Sequence, residues 1–165
     1  MAMLFPSPGT PTPLAVWRIV VPGSNMTQIL PYPLWLDHAG GMDAVREYLS
    51  AGIRAVVEAE VEVAVSPLPR DLLYCRFPIV DGVGNDPDVL YLAVHTLAAL
   101  VRMGVPTLVR CGAGVSRSPA LAAVALASAF EESPEKCLQR IADERRCDIS
   151  PGFWKEVVGV LGMVR

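Results

Sequence analysis

Apolar positions along this chain change their period several times, and each change marks an element. Residues 15–21 and 28–36 are apolar and β-branched on either side of Pro22-Gly23-Ser24-Asn25, which predicts two strands joined by a turn. Met42–Ser50 has helical spacing and stops at Gly52. Residues 53–58 form a β-branched run expected as a buried strand. Residues 60–65 alternate, as a short edge strand or a helical turn would, and residues 72–77 read as another strand. Asp86 and Pro87 are the N-cap and first residue of a helix whose buried stripe is Leu90, Val94, Leu97 and Val101. That helix ends at Gly104, and residues 107–110 form a strand. Three further helices start near Ser116, at Ser133-Pro134 and at Ser150-Pro151. Strands and helices thus alternate, which predicts an α/β fold with a central, largely parallel sheet flanked by helices.

Ahead of this pattern lies a proline-rich arm, residues 1–14, with Pro6, Pro8, Pro11 and Pro13. The expected domain is residues 15–165, a length that supports one substantial core. The segment at residues 1–13 lacks the basic start of a signal peptide. The longest uncharged apolar runs, near residues 89–101 and 119–130, fall short of the roughly 18 residues a membrane span needs. The expectation is a cytoplasmic protein with reduced thiols and no membrane partner.

Net charge is -3, which argues against nucleic acid as a partner and requires any anion site to be local. The four cysteines, Cys75, Cys111, Cys137 and Cys147, form no CxxC pair, so no zinc site is expected.

The local anion site is legible at residues 111–118, Cys111-Gly112-Ala113-Gly114-Val115-Ser116-Arg117-Ser118, between the strand at 107–110 and a helix. Gly112 and Gly114 let the loop turn its amides inward. The amides from Gly112 through Ala113, Gly114, Val115 and Ser116 to Arg117 would ring a phosphate, with the positive helix N-terminus aimed at the same point. Both features stabilise a thiolate on Cys111. The planar fork of Arg117 suits two phosphate oxygens, and the Ser118 hydroxyl can donate to the sulfur. The competing reading is an inert cysteine in a tight turn. A departing oxygen needs an acid, for which Asp81 in Asp81-Gly82-Val83-Gly84 is the choice over Asp86, a helix cap, and Asp88, a first-turn charge.

Residues 109–118 resemble the signature loop of the dual-specificity protein phosphatases, within the cysteine-based protein tyrosine phosphatases. Residues 29–36 resemble that family's opening strand, and Ile149-Ser150-Pro151-Gly152-Phe153 the start of its last helix. The resemblance implies Cys111 as nucleophile, Arg117 as phosphate binder, Ser118 as thiolate stabiliser and Asp81 as general acid and then base. It implies a phosphorylated protein as substrate, carrying phosphotyrosine or phosphoserine/threonine, and no metal or other cofactor. Two positions depart from the family pattern. Arg110 stands where the family has His, and Gly152 where it prefers Asn. Arg110 offers a permanent charge that favours thiolate if it lies near the sulfur. It also motivates the alternative of a weak or inactive phosphate-binding pseudophosphatase.

Other signals carry less. Gly112-Ala113-Gly114 lacks the third glycine of a dinucleotide fingerprint, and no Gly-x-Ser-x-Gly elbow surrounds Ser116. His38 and His95 read as surface residues. Arg140, Arg145 and Arg146 read as a solvated helix face. Cys75 reads as core, with a reversible disulfide to Cys111 as the alternative. No lysine lies in the loop, which disfavours phosphoinositides, and a shallow pocket for Tyr and Ser/Thr phosphates is expected, with phosphorylated RNA ends or sugars as the alternative substrates.

Overall fold

The computed structural model describes residues 25–38, 42–62, 64 and 68–163. The proline-rich arm and the strand expected at 15–21 lie outside those residues. Pro31 and Pro33 split the strand expected over 28–36, because neither can donate to a ladder. Thr27–Gln28 (β1) and Leu34–His38 (β2) are separated by a turn in which Tyr32 N donates to Ile29 O and Ile29 N to Leu34 O, each at 2.9 Å. Met42–Ser50 (α1) ends as expected beside Gly52, whose φ of +73° is the left-handed conformation that glycine adopts without strain. Ala55–Ala59 (β3) and Leu73–Phe77 (β4) confirm the two expected strands. Residues 60–62 and 64 form neither a strand nor a helical turn. There the Glu60 carboxylate folds back to accept from Val61 N and Glu62 N, each at 2.9 Å, and this turn ends the strand.

The second half follows the predicted order: Pro87–Arg102 (α2), Thr107–Cys111 (β5), Arg117–Phe130 (α3), Pro134–Glu144 (α4) and Pro151–Gly159 (α5), then a 3-10 turn at Val160–Gly162. The caps are those the sequence specifies. Asp86 accepts from Asp88 N at 2.9 Å, Ser133 from Lys136 N at 3.3 Å and Ser150 from Phe153 N at 3.3 Å, each with Pro at the helix start.

The strands run in the order β1-β2-β5-β3-β4, with only β1 antiparallel. This is the expected α/β sheet, and it puts β5 in the middle. Alternation along β5 sends its side chains to two different layers. Val109 and Cys111 join the core beneath α2, α3 and α5, whereas Leu108 packs with Trp35, Val56 and Tyr48 on the α1 side. α3 is buried all round from Arg117 to Ala127, enclosed by the sheet and its neighbouring helices. Hence it is apolar on every face rather than striped. Each Leu or Val buried there stabilises the fold by about 1.5–3 kcal/mol, and together they fix the helix end that meets the residue 111–117 loop.

Candidate active site

The loop leaves the carboxyl end of β5 and enters α3 at Ser116, the position where such sheets place ligands. Cys111 is buried, with Sγ 3.3 Å from Ser118 Oγ and 3.4 Å from Ser118 N, which donates to it. Ser116 occupies the N-cap position of α3 but does not cap. Its hydroxyl instead donates to Asp81 Oδ1 at 2.6 Å. Among the described residues, the amides of Gly112 to Arg117 donate no hydrogen bond within the protein. Unpaired donors at a helix start next to a buried sulfur form an anion cradle. The sequence-predicted residues Cys111 to Ser118 and Asp81 are therefore brought together.

Arg117 is 7% exposed at its side chain and is gripped from the side away from its own helix. Nη1 lies 3.0 Å from Glu60 Oε1, 2.9 Å from Glu62 Oε2 and 3.0 Å from Ile79 O, and Nη2 is 3.2 Å from Glu60 Oε2. Nε is buried and has no acceptor among the described residues. A fork held on one edge leaves its other edge for an oxyanion. Burial alone would lower the guanidinium pKa, but the bonds to Glu62 and Glu60 outweigh it and raise it. Contact with Glu60 and then with Arg117 holds the Glu62 carboxyl down to about 2.

Sequence reasoning missed Glu60, which is fully buried and also explains Gly112. A Cβ on Gly112 would stand 2.7 Å from Glu60 Oε2 and 3.2 Å from Arg117 Nη2. The second loop glycine is needed twice over. Gly114 has φ +69°, and a Cβ there would meet Asp37 O at 2.9 Å and Arg145 Nη2 at 3.0 Å. Arg145 thus corrects the expectation of a solvated face. It is partly buried beside the loop, with Nε and Nη1 unpartnered among the described residues, and burial lowers its pKa. The next turn is pinned to the loop by Asp148 N donating to Val115 O at 2.8 Å. Arg140 is also not free, bonding Glu132 Oε2 at 2.9 Å and Tyr32 Oη at 3.0 Å, while Arg146 remains exposed.

Arg110 does not lie beside the sulfur. Being one residue before Cys111 on a strand, it points through the opposite face of the sheet. There Nε and Nη2 reach Glu58 Oε2 at 2.7 and 2.5 Å, with Arg76 Nη1 3.3 Å from the other oxygen of Glu58. Tyr48 lies under its guanidinium, 5.9 Å from ring centroid to Cζ, and donates to Asp37 Oδ2 at 3.4 Å. Its charge is thus spent on Glu58 and not on the thiol. His38 ends β2 in register with Cys111, but Nδ1 contacts Asp37 Oδ1 at 2.9 Å. His95 stacks on Tyr91 far along α2. Cys75 lies on β4 with β3 between it and β5, and all four cysteines are free. Among the described residues no group of His, Cys, Asp and Glu converges to hold a metal ion, and no helix is long and apolar enough to cross a membrane.

No protein-family model and no curated protein sequence matches the chain. Solved structures do. Human DUSP28 matches with a TM-score of 0.70 at 25% identity, over 81% of this chain and 94% of that one. Human tyrosine phosphatase-like serine/threonine/tyrosine-interacting protein matches with a TM-score of 0.69 at 19% identity, over 80% and 92%. PTPMT1 in complex with PI(5)P matches with a TM-score of 0.66 at 22% identity, over 77% and 88%. The sheet order, the strand–loop–helix at Cys111 and these matches define the fold of the cysteine-based tyrosine phosphatases. A mouse putative dual specificity phosphatase shares this fold as well, with a TM-score of 0.70 at 23% identity, over 95% of this chain and 91% of that one.

Proposed function

We propose that this protein hydrolyses phosphate monoesters through a phosphocysteine at Cys111, acting on phosphotyrosine and phosphoserine/threonine of proteins. The observation that carries the reading is a buried sulfur, contacted by Ser118, at the base of a loop whose amides at residues 112–117 and whose Arg117 Nε find no acceptor among the described residues. In the first step the Cys111 thiolate attacks phosphorus and the bond to the leaving oxygen breaks. Asp81, as the carboxylic acid, gives that oxygen its proton. The amides and Arg117 take up the charge on the remaining oxygens. In the second step Asp81, now the carboxylate, takes a proton from water. The water oxygen bonds to phosphorus as the P–S bond breaks, and Ser118 stabilises the released thiolate. Ser116 holds Asp81 over the loop throughout.

The substrate class follows from charge. Glu60 stands against Gly112, and Glu62 lies 59% exposed beside Arg117. The exposed Glu62 carboxylate at the rim, with the buried Glu60 behind it, opposes the additional phosphates of a phosphoinositide and suits a single phosphate on a protein side chain. A thiol nucleophile requires a reducing compartment, for which we place the protein in the cytoplasm. A second reading, a weak or inactive phosphate-binding protein, draws on those same carboxylates, because they compete with phosphate for Arg117.

The test is release of phosphate from an aryl phosphate, with and without a chelator, by the native protein and Cys111→Ser. Expected are chelator-insensitive turnover that vanishes in the variant and tungstate binding that survives in it, since the amides and Arg117 remain. Undiminished turnover by the variant contradicts covalent catalysis at Cys111. Tungstate binding with no turnover by the native protein supports the second reading.

A further inference from the structure

The segment carrying Asp81 is held from behind by α5. Asn85 closes it as a ring: Val80 N donates to Asn85 Oδ1 at 2.9 Å, and Asn85 Nδ2 donates to Gly82 O at 2.9 Å. Outside that ring, Glu156 accepts from Gly84 N at 2.7 Å through Oε1, and from Asn85 N and Asn85 Nδ2 at 3.3 Å each through Oε2. One turn earlier on α5, Gly152 makes room for Val83, whose Cγ1 lies 2.5 Å from where a Cβ on Gly152 would stand. Val83 is itself 66% exposed, so little else holds it. A side chain at position 152 would have to push aside the Val83 side chain that Gly152 admits. Toward the loop, the segment is tied where Asp81 meets Ser116 and, two residues earlier, where Ile79 O accepts from Arg117 Nη1 at 3.0 Å.

We propose that Glu156 is a positioning residue for the reaction: with Gly152, it latches the Gly82–Asn85 turn so that Asp81 stands over the phosphate loop. This rests on the reading of Asp81 as general acid. Glu156 does not touch substrate; it acts through the backbone amides of Gly84 and Asn85. Three donors on one carboxylate make a hold stronger than neutral pairs give, and Gln at this position keeps the shape but loses the charge. Without the latch, Asp81 samples positions from which proton transfer fails.

Such a loss has a signature that general damage to the fold does not share. Proton donation matters for an alkoxide-like leaving group and hardly at all for an activated aryl one. The test compares native protein, Glu156→Gln, Gly152→Asn and Asp81→Asn on an activated and an unactivated aryl phosphate, with tungstate affinity measured for each. Expected for Glu156→Gln and Gly152→Asn is a fall of about tenfold in kcat on the unactivated ester, a change within about twofold on the activated one, and unchanged tungstate affinity. In the Asp81→Asn background, Glu156→Gln should add nothing. An equal fall on both esters, no fall on either, or a full further loss on top of Asp81→Asn overturns the latch. Absence of turnover in the native protein, or its persistence in Cys111→Ser, instead overturns the phosphatase reading on which the latch rests.

Discussion

Arg110 and Arg117 are both buried arginines, both paired with glutamates at or just past the end of β3, and seven residues apart on one loop-bearing segment. Their surroundings give them opposite roles. Arg110 is enclosed on the α1 side of the sheet, with Glu58 across from it, Arg76 on the far oxygen and Tyr48 beneath. Arg117 stands on the other side, where Glu60 and Glu62 take one edge of its fork and Nε is left unpartnered among the described residues. Arg110 and Cys111 face opposite ways because they are neighbours on β5, whereas Glu60, two residues after Glu58, reaches the Arg117 side because β3 ends at Ala59 and the chain turns there. One layer therefore spends its charge inside the protein, and the other keeps donors for a ligand.

The sharpest way to break the comparison is to make the same conservative change in both layers. Arg117→Lys keeps a positive charge for Glu60 but loses the fork, and turnover should fall by about 10²–10³-fold. Arg110→Lys should leave kcat within about threefold and instead cost stability, on the order of 1–2 kcal/mol, by losing part of the hydrogen bonding to Glu58. Steady-state kinetics with thermal unfolding of both variants decides it. If Arg110→Lys loses as much turnover as Arg117→Lys at intact stability, the two layers are not separate.

A smaller effect is expected at low pH. The folded Glu62 carboxyl, held to about 2, lies below the ordinary 4.5. A lowered carboxyl contributes stability that is fully present above its unfolded value and is lost as pH falls through its folded one. Because Glu62 is 59% exposed, solvent screening limits this to at most about 1 kcal/mol. The gap in Tm between native protein and Glu62→Gln should be present at pH 5, shrink steadily toward pH 2 and narrow with added salt. A gap that widens on acidification contradicts the pairing with Arg117.

Much of this was legible from local sequence. The caps at Asp86, Ser133 and Ser150 and the strand–loop–helix around Cys111 to Ser118 depend on residues a few positions apart. Pro31 and Pro33 carried the signal that splits β1 from β2, but the apolar run around them reads as one strand. What stayed hidden depends on contacts between distant segments. Glu60 meets Arg117 only because β3 lies beside β5, and Glu58 meets Arg110 for the same reason. Arg145 looked solvated because helical periodicity says nothing about the loop that packs against the helix end. Glu156 reaches the Asp81 segment across the whole of α2 to α4. Gly112 could have pointed to Glu60, since a glycine at a close approach implies something approaching.

The central claim is that Cys111 becomes phosphorylated on sulfur during turnover. Rapid mixing with an aryl phosphate, acid quenching and mass analysis of the peptide that contains Cys111 tests it directly. The account predicts a phosphate-mass adduct on Cys111 that forms with a burst of the leaving group and is absent from Cys111→Ser. Turnover without that adduct, or an adduct on another residue, would contradict it.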